Sequence, residues 1–228
     1  MSAFYVAKYE DRIEILTDGA VYSDDGTIVS IERKIWISDH LPLTFVGRGS
    51  HPSVNLISTA MGLLSFNKTV DETLVLFMEK IEAMAEKPGE KVQLDGLVCG
   101  ISETLGPIVY YFCTSKQVCE ERGLEPFKIY EVPDEMCAAT NPTPRAIRNS
   151  GLPMFWAIDG LAEYGGVFFD TMRQFTMKHV ALPDQPDMYA IGGHVDHTVI
   201  RADGIVSERI LEWPDKIGEK IDPARLAA

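Results

Sequence analysis

Cysteine is scarce in this chain, and basic residues are outnumbered. The four cysteines (Cys99, Cys113, Cys119 and Cys137) form no Cys-x-x-Cys pair, which reads as free, mostly buried thiols rather than a zinc site. Lysine and arginine total 21 against 34 acidic residues, a formal net charge of -13. That balance argues against nucleic acid or an anionic membrane as partner. No apolar run approaches the ~20 residues of a membrane span. The chain does not open on a basic-then-apolar leader, so the expected compartment is the cytoplasm. No Ser-x-Gly elbow, P-loop or Gly-x-Gly-x-x-Gly is found, and no internal repeat, low-complexity tract or linker divides the sequence. Residues 1–228 therefore read as one domain, long enough for a substantial core.

What is present is an ordered series of apolar segments. Residues 3–8 and 12–17 have strand composition around an acidic turn. Their alternation is imperfect, as in a sheet covered on both faces. Residues 27–37 and 41–46 read as further strands. Val54, Ile57, Met61 and Leu64 recur at helical spacing after His51-Pro52-Ser53. Thr69 and Glu72 fit a capping box opening a helix over 70–86, which Lys87-Pro88-Gly89-Glu90 ends. Strands follow at 92–100, 107–114 and 127–132, then a proline-bearing loop at 138–153. A helix is predicted over 160–179, weakened by Gly165-Gly166, then a loop at 183–186. Strands at 188–200 and 205–212 and a polar tail complete the chain. Helices segregated from antiparallel strands predict an α+β protein of sheets covered by helices.

The chemistry concentrates near the start. Removal of Met1 leaves Ser2 with a hydroxyl and a free α-amine, whose ordinary pKa of about 8 makes it a usable base near neutrality. Such an amine can activate its own hydroxyl without a histidine. Asp18 follows Ser2 by sixteen residues, Lys34 follows Asp18 by sixteen more, and Gly47-Arg48-Gly49 ends an apolar run. Late in the chain stand Gly192-Gly193-His194-Val195-Asp196 and the turn Ala202-Asp203-Gly204.

These segments together resemble the proteasome-type members of the amino-terminal-nucleophile hydrolases, the β-subunits and bacterial proteasome-like peptidases. The resemblance spans most of the chain and rests on joint spacing, since each motif is short. It implies a four-layer α-β-β-α sandwich. It implies Ser2 as nucleophile, where proteolytic members use threonine, with Lys34 lowering the hydroxyl's pKa and Asp18 orienting that lysine. It places the backbone N–H of Arg48 or Gly49 at the oxyanion. Arg48 departs from the family's Gly-Gly and is expected to bring a bulky cation near the cleft. Val21, Trp36, Val46 and Ser50 would line a pocket that Trp36 makes shallow. The family's supporting hydroxyl falls to Thr140 or Ser150, with no choice between them.

The implied activity is hydrolysis of amide bonds in peptides or smaller substrates, with no cofactor. The resemblance also implies a homo-oligomer, a ring included. Two other functions fit the same fold: a catalytically silent assembly subunit, and a ligand-binding module that keeps the cleft. No metal site is expected. His194 and His197 lie three apart on a predicted strand, so their side chains diverge.

Overall fold

A computed structural model describes residues 3–85, 92–177 and 186–225. It is a mixed α/β fold of antiparallel sheets with few helices, and every strand pair among these residues is antiparallel. The strands are β1 (Phe4–Lys8), β2 (Ile13–Asp18), β3 (Ala20–Tyr22), β4 (Ile28–Ile31), β5 (Ile35–Ile37) and β6 (Leu43–Gly49). Helices α1 (His51–Ser65) and α2 (Val70–Met84) intervene before β7 (Leu94–Ser102) and β8 (Gly106–Cys113). Then come α3 (Lys116–Arg122), β9 (Ile129–Glu131), β10 (Glu135–Ala138), α4 (Pro144–Asn149) and α5 (Gly165–Arg173). The last strands are β11 (Thr176–Met177), β12 (Met188–Tyr189), β13 (His194–Arg201) and β14 (Gly204–Glu212).

Two five-stranded sheets form the body, ordered β10-β1-β2-β13-β14 and β5-β6-β7-β8-β9. Strand alternation divides their side chains between faces. Phe4, Val6, Ile13, Ile15 and Ile200 of the first sheet pack with Val46, Leu97, Cys99, Val109 and Tyr111 of the second. The other face of the second sheet packs Phe45, Val98 and Phe112 on Ile57 and Met61 of α1 and on Leu74, Phe77 and Ile81 of α2. The other face of the first sheet packs Tyr5, Leu16 and Val195 on Phe168, Phe169 and Met172 of α5. The central hairpin is thus covered on both faces, which explains its imperfect alternation. Val6, Ile13, Ile15 and Phe45 are all buried.

Local chemistry explains where the boundaries depart from the sequence reading. The predicted strand 27–37 splits: β4 pairs with β3, whereas β5 pairs with β6. Residues 32–34 break it because the Lys34 ammonium turns inward to Asp18 and the Ala20 carbonyl. The predicted strand 188–200 breaks at 190–193, where Gly192 O accepts from both Gly19 and Ala20 N–H groups. The helix predicted over 160–179 spans only Gly165–Arg173, and residues 178 and 179 lie outside the described residues. Gly165 opens this helix rather than weakening its middle. A Cβ there would fall 2.8 Å from the Leu16 methyl carbons, so the missing side chain lets α5 seat on β2. The predicted breaker at 87–90 and residues 183–185 of the predicted loop also lie outside the described residues.

The segment after β14 folds back along the molecule. Asp215 pairs with Arg173, both side chains fully buried, at 2.6 Å. The Glu219 carbonyl accepts from Ile28 N–H, and Thr27 bridges to Lys220. No helix among the described residues is long and apolar enough to cross a membrane.

Candidate functional site

Asp18 ends β2 as a fully buried carboxylate, and four donor contacts converge on it. Its Oδ1 accepts from the Ala3 N–H at 2.8 Å and from Lys34 Nζ at 3.0 Å. Its Oδ2 accepts from Lys34 Nζ at 2.9 Å and from the Gly192 N–H at 3.3 Å. Lys34 also donates to the Ala20 carbonyl. Burial pushes the Lys34 ammonium's pKa down, and the charge and hydrogen bonds of Asp18 oppose that push without cancelling it. A buried ion pair costs desolvation, which is offset here by hydrogen bonds to nearly every lone pair. The pair therefore occupies a position that packing alone would give to apolar residues.

Lys34 opens onto a cavity of about 230 Å³ lined by Val21, Glu32, Ile35, Trp36, Gly47 and Gly49 on the strand side, and by His51, Val54, Asn55 and Ser58 of α1. At its mouth His51 Nδ1 lies 3.8 Å from the Glu32 carboxylate, and Asn55 bonds the other ring nitrogen at 2.8 Å. Gly49 closes β6 at a φ of +132°, and a Cβ there would lie 2.2 Å from the Gln93 carbonyl oxygen. Only glycine fits that turn into α1.

Among the residues singled out from the sequence, Asp18 and Lys34 meet directly, and Lys34, Gly49, Val21 and Trp36 share the cavity. Ser2 and Met1 lie outside the described residues. The Arg48 side chain departs from expectation. It turns into the space between the sheets, where Nη2 meets Asp95 Oδ2 at 2.7 Å and Tyr111 donates to the same oxygen at 3.1 Å. Strand alternation is the reason, since Arg48 shares its face of β6 with Val46. Val46 is fully buried in the core between the sheets, and Ser50 precedes α1 as its N-cap without a side-chain capping bond. The Thr140 hydroxyl is buried and donates to the Met172 carbonyl at 2.6 Å, and the Ser150 hydroxyl donates to the Ile147 carbonyl at 2.7 Å.

Several contributors carried no local signal. Asp95, which neutralises Arg48, sits in an ordinary strand pattern. Tyr22 is buried with its hydroxyl unpartnered among the described residues, and burial first, then the Asp18 charge, pushes its pKa well up. His194 packs against Gly19, where a Cβ would lie 2.3 Å from its ring, and its Nε2 meets Asp196 at 3.1 Å. His197 turns to the opposite face and meets Glu14 at 2.8 Å. The four cysteines are free, with Cys137 exposed and the others buried. No protein-family model matches the chain, and no curated protein matches it.

Proposed function

We propose that the chain is an amino-terminal-nucleophile hydrolase of the proteasome type, with Ser2 as nucleophile once Met1 is removed. One observation carries this reading. The N–H of Ala3, the residue bonded directly to Ser2, is held by the buried carboxylate that also holds Lys34. The Ala3 amide, the carboxylate and the lysine ammonium beside the cavity thus form one hydrogen-bonded group. The two facing sheets, with α1 and α2 outside one and α5 outside the other, fit the four-layer α-β-β-α sandwich of that family.

In this reading the Ser2 Oγ attacks an amide carbonyl and its proton passes to the Ser2 α-amine. Lys34, held by Asp18, favours the alkoxide electrostatically. The N–H of Arg48 or Gly49 faces the oxyanion. The amine returns the proton to the leaving nitrogen, and water then cleaves the acyl ester. The buried ion pair of Arg48 keeps its guanidinium out of the cleft, so its backbone can serve whatever the side chain. The substrate is a peptide or small amide, the compartment is the cytoplasm, and the working unit is a homo-oligomer. A silent assembly subunit is the second reading, favoured by the exposed Leu63 and Phe66 at the end of α1.

Intact mass of the purified protein shows whether Met1 is gone, and an electrophilic lactone probe then reports the nucleophile. The processed protein is expected to gain one acyl group, which Ser2→Ala abolishes while keeping the fold and Lys34→Ala abolishes too. Retained Met1, or equal labelling of wild type and Ser2→Ala, overturns the nucleophile and leaves the silent subunit in front.

A further inference from the structure

A second cavity, of about 450 Å³, lies beside β1 and β10 and shares no lining residue with the Lys34 cleft. Arg48, Arg122, Cys137 and Asn141 supply its polar wall, and Val118 and Ala138 its apolar one. Ala138 pairs with Phe4 in the sheet, and the Phe4 ring lies 5.7 Å from the Arg48 guanidinium. The Arg48 side chain is only 6% exposed. Its Nε and Nη2 form a fork on the Asp95 carboxylate, at 3.0 and 2.7 Å. Its Nη1 has no hydrogen-bond partner among the described residues, yet it is not one of their enclosed unpartnered atoms. Solvent therefore reaches Nη1, and a deeply buried guanidinium keeps one NH₂ group unmet where it lines the cavity.

Arg122 brings a second guanidinium. It lies 5.2 Å from the ring of Tyr111, whose hydroxyl donates to the same Asp95. No ion pair joins Arg122 to a carboxylate among the described residues. Both arginines act on the Cys137 thiol. Desolvation pushes that thiol up to about 11, and the charges of Arg48 and then Arg122 oppose the push. The group of Arg48, Arg122 and Asp95 thus holds two positive charges against one negative. Glu121 and Asp187 also line the cavity, but both are exposed, where water and salt screen them. Donors taken out of water are normally met by acceptors, and the planar guanidinium matches the two oxygens of a carboxylate. A single excess positive charge suits a monoanion better than a dianionic phosphate. We infer that this cavity binds a carboxylate on a small organic body, with Arg48 Nη1 and the Arg122 guanidinium donating to its oxygens. Binding there does not depend on Ser2 acting as nucleophile.

Cys137 is the one exposed cysteine of the four, so its alkylation by N-ethylmaleimide reports on the cavity it lines. Intact mass of the full chain follows the single added group, and Cys137→Ser confirms its place by removing it. Benzoate is expected to slow the alkylation saturably. Its half-effect concentration should lie at least about tenfold below that of the neutral isostere benzamide, the step that about 1.4 kcal/mol produces. Arg122→Gln, at an exposed position, is expected to weaken benzoate several-fold and leave benzamide unchanged. Arg48→Lys keeps a charge over Asp95 but loses the planar fork, and is expected to weaken benzoate likewise; if it does not fold, Arg122→Gln decides alone. Equal protection by benzoate and benzamide, no protection by benzoate or acetate, or stronger protection by inorganic phosphate overturns the proposal. So does an Arg122→Gln protein that holds benzoate as tightly as wild type.

Discussion

Glu14 shows how much one residue can hold. Its carboxylate ties β2 to β13 through His197, and ties the segment before α5 to the sheet through Leu161. Its pKa falls from an ordinary 4.5 to about 2. A depressed carboxyl contributes stability that is complete above the unfolded value and lost as pH falls through the folded one. The window is therefore pH 4.5 down to about 2, and the contribution is about 3 kcal/mol at 1.36 kcal/mol per unit. Glu14→Gln is expected to lose roughly that amount at pH 7, and the gap to wild type should close towards pH 2.5. Urea midpoints at the two pH values check it; curves that stay parallel would refute the assignment. The sequence announced Asp18 and Lys34 through their spacing. It did not announce Glu14, because an acidic residue in an apolar strand looks like a solvent-facing position. Besides the neighbouring Arg12, its partners lie 147 and 183 residues away, where no local pattern reaches.

Elements with a local cause were legible. The capping box at Thr69 and Glu72 is formed as read: the Thr69 hydroxyl accepts from Glu72 N–H, and the Glu72 side chain accepts from Thr69 N–H. Glu103, in the turn between β7 and β8, adds what the sequence did not show. Its two oxygens accept from the Val70 and Asp71 N–H groups at 2.8 and 3.0 Å, so a distant turn caps the same helix. Acidic groups at a helix start also meet its positive pole. Thr69→Ala is expected to cost about 1 kcal/mol, with Glu103→Ala adding more than its separate effect because both serve one helix end. Thermal melts of the two single variants and the double variant measure that coupling. The unread elements, β3, α3, β10, α4 and β11, are short, between two and seven residues. Their positions are set by strand partners and loop geometry rather than by periodicity. The helix predicted over 160–179 exists only as Gly165–Arg173 among the described residues, because the packing role of Gly165 was not visible.

Across the whole molecule, the α+β reading and the burial of the central hairpin were legible because both follow from composition and order. The assignment of strands to two sheets was not, since β4 and β5 look continuous until Lys34 is known to turn inward. The outer face of α1 and the residue after it expose Leu56, Leu63 and Phe66, with Leu63 76% exposed. Isolated exposed leucines are ordinary, but a run along one helix end marks a contact surface. Leu63→Glu with Phe66→Asp is expected to shift the protein from an oligomer to a monomer in light scattering at tens of micromolar. A wild-type monomer under those conditions would remove the assembly readings.

The first sheet also fixes an order of events in the cell. β2 lies between β1, made moments earlier, and β13, which follows it by some 180 residues (183 from Glu14 to His197). At a synthesis rate of about 5–20 residues per second, β2 waits roughly ten to forty seconds for that neighbour. During the wait its apolar edge is an unpaired template for other nascent chains. The strand that carries Asp18 is thus completed only long after its own synthesis.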